Sequence, residues 1–115
     1  GGARRVENLA KATDTTWASE VLESTLPVLV FFTASWCGPC RMMKPVIEEV
    51  AAECEQALKV VSFNTDDSQT VLDSYKIQSV PTLMLFKDRE CMVTIIGAVP
   101  KAALLTSVRT HVPEL

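Results

Sequence analysis

With 115 residues the chain can build one hydrophobic core and is too short for two. Apolar residues make up 48% of it, which supports a globular fold, and the longest apolar run falls far short of the ~20 residues of a membrane helix. The net charge of −3, with no basic cluster, argues against nucleic acid as the main partner.

Gly1 to Arg5 read as a flexible lead, so the expected division is 1–5 as lead and 6–115 as one domain. Any targeting peptide is expected to be already removed. Val6 to Leu9 is predicted to form a short first strand. Thr13 or Asp14 is placed to cap a helix running to about Glu23, in which Trp17, Val21 and Leu22 recur on one face and Trp17 belongs to the core. Pro27 then introduces Val28 to Thr33, apolar almost throughout instead of alternating, as expected of a central strand covered by helices on both sides.

Trp36-Cys37-Gly38-Pro39-Cys40 follows and opens a stretch with helical periodicity. Cys40, Met43, Ile47, Val50 and Cys54 fall at steps of three and four, forming one buried stripe, while Glu48, Glu49 and Glu53 lie off it and are expected in water. If the helix begins here, Cys37 stands at its amino end, where unpaired N–H groups and the positive end of the dipole favour a thiolate. Cys37 is then the nucleophile. Cys40, one turn further in and facing inward, is the resolving thiol. Pro39 suits the first turn, because the N–H it lacks would be unpaired there. Pro45 cannot donate to the carbonyl of Arg41, so a kink is expected at that point. Cys54 lies roughly 21 Å along the helix from Cys40, too far for a bond, and is read as a small packed hydrophobe.

Leu58 to Asn64 is predicted as a strand, and Asp66, Asp67 and Ser68 as a polar cap before a short helix ending near Tyr75. Lys76 to Ser79 form a loop leading to Val80-Pro81. Thr82 to Phe86 and Cys91 to Ile96, joined by the charged turn Lys87-Asp88-Arg89-Glu90, read as an antiparallel hairpin. Lys101 to about His111 forms the last helix, with Pro100 just before it. The order β-α-β-α-β-α-β-β-α predicts an α/β fold, a mixed sheet flanked by helices.

The cysteine spacing does not resemble a secreted disulfide framework, which favours a reducing compartment. A zinc site at Cys37 and Cys40 is the blander reading of the motif. It lacks a second close-spaced ligand pair, since Cys54, Cys91 and His111 are scattered, and no metal is expected. His111 is read as a surface residue, and Cys91, in an outer strand, as partly exposed and open to modification or dimerisation.

Trp36-Cys37-Gly38-Pro39-Cys40, with Val80-Pro81-Thr82 about forty residues later and Gly97-Ala98 beyond, resembles the thioredoxin family over the chain from about Val6 to the end. The resemblance implies the thioredoxin fold and a protein disulfide reductase that needs no cofactor besides its reversible Cys37–Cys40 disulfide. It also implies disulfide-containing target proteins, a thioredoxin reductase dependent on NADPH or ferredoxin, and a monomer. Trp36, Val80-Pro81 and Gly97-Ala98 would hold the substrate, and the bond before Pro81 would be cis. Pro27 to Val30, Asn64 to Asp67 and Ile95 to Lys101 are most similar to bacterial and plastid m-type members. That implies a chloroplast stroma, with a bacterial or eukaryotic cytoplasm as the alternatives.

Two departures from the family pattern bear on mechanism. Many members carry a buried aspartate where Phe31 stands here, and a lysine where Ser62 stands; their joint loss is coherent, because either charge alone in the interior would be costly. The family carboxylate is thought to shuttle a proton for the buried thiol, so slower or differently pH-dependent resolution is expected. Thr33 replaces a frequent aromatic residue and trims the packing around the active-site loop. From another class comes the alternative of a non-catalytic or weakly active interaction module, which the intact Trp36-to-Cys40 motif disfavours and Phe31 and Ser62 leave open.

Overall fold

The computed structural model describes residues 9–115. The lead expected at Gly1 to Arg5, and Val6 to Glu7 and Asn8 of the expected first strand, lie outside that range. Leu9 is buried but not in a strand; β1 is Ala10–Ala12 instead, running parallel to β3 (Lys59–Asn64) with Ala10 opposite Val61 and Ala12 opposite Phe63. Alanine has weak strand preference, so what makes this segment a strand is the partner's free backbone, which its own sequence does not reveal.

The five-stranded sheet has the order β1-β3-β2-β4-β5. β2 (Val28–Thr33) lies at its centre, parallel to β3 and antiparallel to β4 (Thr82–Lys87), which in turn pairs antiparallel with the edge strand β5 (Glu90–Ile96). Every residue of β2 from Val28 to Phe32 is buried, as its unbroken apolar run requires. Leu29 and Phe31 face α1 (Gly38–Glu53) and α3 (Lys101–Arg109). Val28, Val30 and Phe32 face the opposite layer, which holds a short π-helix, Ala18–Leu22, and α2 (Thr70–Ser74). Trp17 fills that second layer, its ring centroid 5.3 to 6.1 Å from those of Phe32, Phe63, Tyr75 and Phe86. Its Nε1 donates to the Tyr75 hydroxyl at 3.3 Å, so the indole is buried with its polar edge satisfied.

The expected first α-helix is replaced by a turn and the π-helix. Thr13 caps the turn reciprocally: its N–H donates to Thr16 Oγ1 and its Oγ1 accepts from the Thr16 N–H. Asp14 serves another helix. Its carboxylate accepts from the N–H groups of Gln69, Thr70 and Val71 at 2.9 to 3.1 Å, satisfying the open amino end of α2. These bonds, the one from Val71 foremost, hold the Asp14 carboxyl below the ordinary carboxylate range despite the opposing effect of partial desolvation.

α1 runs through Pro45 without interruption, and its expected stripe is buried except Cys54, which is half-covered just past its end. Glu48 departs from expectation: it is buried, on a helix whose covered face is wider than the stripe and also takes in Ala51 and Ala52. Glu49 is half-buried and shares Lys101 Nζ with the exposed Glu53, at 3.1 and 2.7 Å, tying α1 to α3. The β4–β5 hairpin turns at Asp88 and Arg89, both with positive φ (51° and 73°), the conformation that matches the twist of a two-residue hairpin loop. α3 ends at Arg109, and His111 follows in a turn.

Candidate active site

β2 ends in the middle of the sheet, and the turn Ala34-Ser35-Trp36 carries the chain into α1. Cys37 is the N-cap residue, with extended backbone (φ −88°, ψ 110°), and Gly38 and Pro39 occupy the first turn. Proline is tolerated there because its position needs no N–H. The Cys40 N–H, one of the open donors of that turn, donates to Cys37 Sγ at 3.2 Å. Cys37 and Cys40 are joined as a disulfide, their Cα atoms 5.3 Å apart. Cys37 is 3% exposed and Cys40 2%, whereas Trp36 beside them is 70% exposed.

An aspartate from the neighbouring strand end holds Trp36. Asp66 Oδ1 accepts from Trp36 Nε1 at 3.0 Å, and Oδ2 accepts from the Ser35 N–H and Oγ at 3.2 and 3.0 Å. The Ser35 N–H bond, then the indole bond, lowers the Asp66 carboxyl from its ordinary value against a smaller desolvation effect. Asp66 was expected to belong to the polar cap of α2, a role that Asp14 takes from across the fold. The signal for its actual role is topological. With Thr33 opposite Asn64 in the parallel pair, the residues just after β2 and β3 must meet.

The second and third expected site segments are tied to one another. The Val80–Pro81 peptide bond is cis. Pro81 is buried, and Val80 is half-buried against the core cluster that includes Cys37 and Cys40. The Gly97 N–H donates to the Pro81 carbonyl at 2.9 Å. Gly97 has φ of 90°, a conformation strained for any residue with a Cβ, and that alone accounts for glycine here, since a Cβ would meet nothing within 4 Å. Ala98 follows it, exposed. Two large exposed apolar side chains stand beside these segments in the chain and were not expected as site residues: Met42, 79% exposed, two residues past Cys40, and Ile96, 71% exposed, next to Gly97.

Behind the cysteines, Phe31 and Ser62 are direct partners across β2 and β3. Both line a cleft of about 370 Å³ that reaches Cys40. The two remaining cysteines are unbonded. Burial, with the Glu53 carboxylate adding to it, pushes the Cys54 thiol up, while Cys91 is exposed on the edge strand. Among the described residues no three His, Cys, Asp or Glu side chains gather as metal ligands, and no helix is long and apolar enough to cross a membrane.

The family model described as thioredoxin matches residues 8–110. The chain belongs to the thioredoxin family. It is 48% identical over 105 residues to the thioredoxin of Pyropia yezoensis, covering 91% of this chain and 98% of that one. It is 50% identical over 102 residues to thioredoxin 1 of Synechococcus elongatus, covering 89% and 95% of the two chains. Over 98 residues it is 50% identical to the chloroplastic M-type thioredoxin of Chlamydomonas reinhardtii, covering 85% and 70%. The expected thioredoxin fold is that of the family, and the chain is a thioredoxin-type thiol-disulfide oxidoreductase with Cys37–Cys40 as its redox pair. Membership implies disulfide-containing targets and a reductase that restores the dithiol.

Proposed function

We propose that Cys37 attacks protein disulfides and Cys40 resolves the resulting mixed disulfide. The Cys37 thiolate displaces one sulfur of the target, forming a Cys37–target bond and releasing the other target sulfur as a thiolate that takes a proton from solvent. Cys40, having lost its proton, then attacks Cys37 Sγ. The Cys37–Cys40 bond forms, the second target thiolate leaves, and two electrons have passed to the target. The observation that carries this assignment is the Cys40 N–H aimed at Cys37 Sγ in the N-cap position. A thiolate there gains a charge-assisted hydrogen bond from the Cys40 N–H and stands at the positive end of the α1 dipole.

Trp36, Val80-Pro81 and Gly97-Ala98 form the proposed target-binding face, with Met42 and Ile96 widening its apolar rim. The proposed setting is a plastid stroma or a bacterial cytoplasm, supported by the names of the cyanobacterial and chloroplastic relatives, and the proposed reductase is ferredoxin- or NADPH-dependent. Dithiothreitol-coupled insulin reduction tests the chemistry. Wild type accelerates it and Cys37→Ser falls to the uncatalysed rate. Cys40→Ser, lacking the resolving sulfur, accumulates mixed disulfides on Cys37. Equal activity of Cys37→Ser and wild type, or trapping on Cys91 instead, would refute the assignment.

A further inference from the structure

Resolution requires Cys40 to lose a proton at the moment when the target covers the front of the site. Cys40 is already 2% exposed without a target. Cys40 also lines the cleft of about 370 Å³, together with Phe31, Thr33 and Ser62. A water needs only about 10–15 Å³ of such space and two to four polar partners, so this cleft has room for several waters. Hydroxyls of Ser62 and Thr33 and the Asn64 amide offer those partners. We propose that the cleft is the exit for the Cys40 proton: water entering from the β1 side takes it, and the thiolate left behind is solvated through the same opening. The proposal rests on the two-step exchange described above.

The charged groups facing the cleft favour that anion. Lys11 comes from β1, Arg41 and Lys44 from α1, and Asp67 from the loop after β3, while β2 and β3 present only Phe31, Thr33, Ser62 and Asn64. Neither strand supplies a carboxylate, and Asp67, the carboxylate among the lining residues, is exposed on the loop after β3, so the first acceptor in the proposed route is water. The small Ser62 side chain leaves the space in which water can stand. The step balances as Cys40 thiol plus water giving thiolate plus hydronium, followed by thiolate attack on Cys37 Sγ and departure of the target thiolate.

Stopped-flow reaction of the reduced protein with 5,5′-dithiobis(2-nitrobenzoate), in a chain with Cys54 and Cys91 replaced by serine, separates the two steps. Attack by Cys37 releases one coloured thiolate in a phase that scales with reagent concentration, and resolution by Cys40 releases the second in a phase that does not. Ser62→Leu fills the cleft and dries the Cys40 thiolate, which disfavours ionisation and pushes the thiol up. The second phase is then expected to slow about tenfold at pH 7, its pH profile moving up by about one unit, with the first phase within twofold of wild type. Ser62→Ala keeps the space and, with Thr33 and Asn64 still there as partners for the water, moves the profile by less than half as much as Ser62→Leu. Lys11→Trp, which blocks the mouth from an exposed edge position, repeats the Ser62→Leu shift and serves if that variant folds poorly. An unmoved second-phase profile in the blocked variants, or equal slowing of both phases, overturns the proposal. A shift in Ser62→Ala as large as in Ser62→Leu also overturns it, by assigning the proton to the hydroxyl. Absence of any two-phase release in wild type would instead remove the exchange reading itself.

Discussion

Phe31 fills with a ring the position beside Cys40 where a carboxylate could accept a proton. Phe31→Asp is therefore expected to speed the resolving step while lowering stability by about 3 kcal/mol or more, since a packed ring gives way to a buried carboxyl. Thermal unfolding and dithiothreitol-coupled reduction across pH check the two halves; an unchanged melting temperature, or a slower variant at every pH, contradicts them. Asp66 holds Ser35 and Trp36 by hydrogen bonds. Asp66→Ala frees Trp36 and should raise KM for a protein disulfide severalfold while iodoacetamide alkylation of Cys37 stays the same. Because bonding lowers the Asp66 carboxyl below its ordinary 3.8, the clasp is complete above that pH and is lost as pH falls through the lower folded value. Trp36 fluorescence should thus stay constant through the neutral range and change only in strong acid. The bonded cysteine pair and the cis bond before Pro81 were legible because a motif marks them. Asp66 was not, because its partner is thirty residues away and is brought near only by the strand register.

At the scale of elements, β2, α1 and the β4–β5 hairpin were legible from apolar runs, a helical stripe and a charged turn. Those signals are local, and local chemistry decided the outcome. The first strand, the π-helix and the burial of Glu48 were not, because each depends on what packs against the segment. The same holds for α2, whose amino end is closed by Asp14 from another part of the chain. Asp14→Ala should lower the melting temperature at pH 7. The sign follows from the lowered carboxyl: its contribution is present above the ordinary carboxylate value and fades as pH falls through the lower folded one, so wild type and variant should converge in acid. A gap that persists undiminished at pH 2 would locate the effect elsewhere. The Lys101 bridge between α1 and α3 is partly exposed, and Lys101→Met is expected to change stability by no more than about 1 kcal/mol.

For the whole molecule, the sheet order matters because it puts the end of the central strand, the start of the longest helix and the Pro81–Gly97 pair into one surface. Strand pairing supplies the rigidity, and the helix supplies the field. The proposed mechanism depends on one outcome of that arrangement, the stabilisation of a thiolate on Cys37 by the open end of α1. The most direct test is the pH dependence of iodoacetamide alkylation of Cys37 in the reduced protein, with Cys54 and Cys91 replaced by serine. The rate should titrate well below the ~8.5 of a free cysteine and exceed that of glutathione at neutral pH. Titration at the free-cysteine value, with alkylation no faster than glutathione's, would contradict the account.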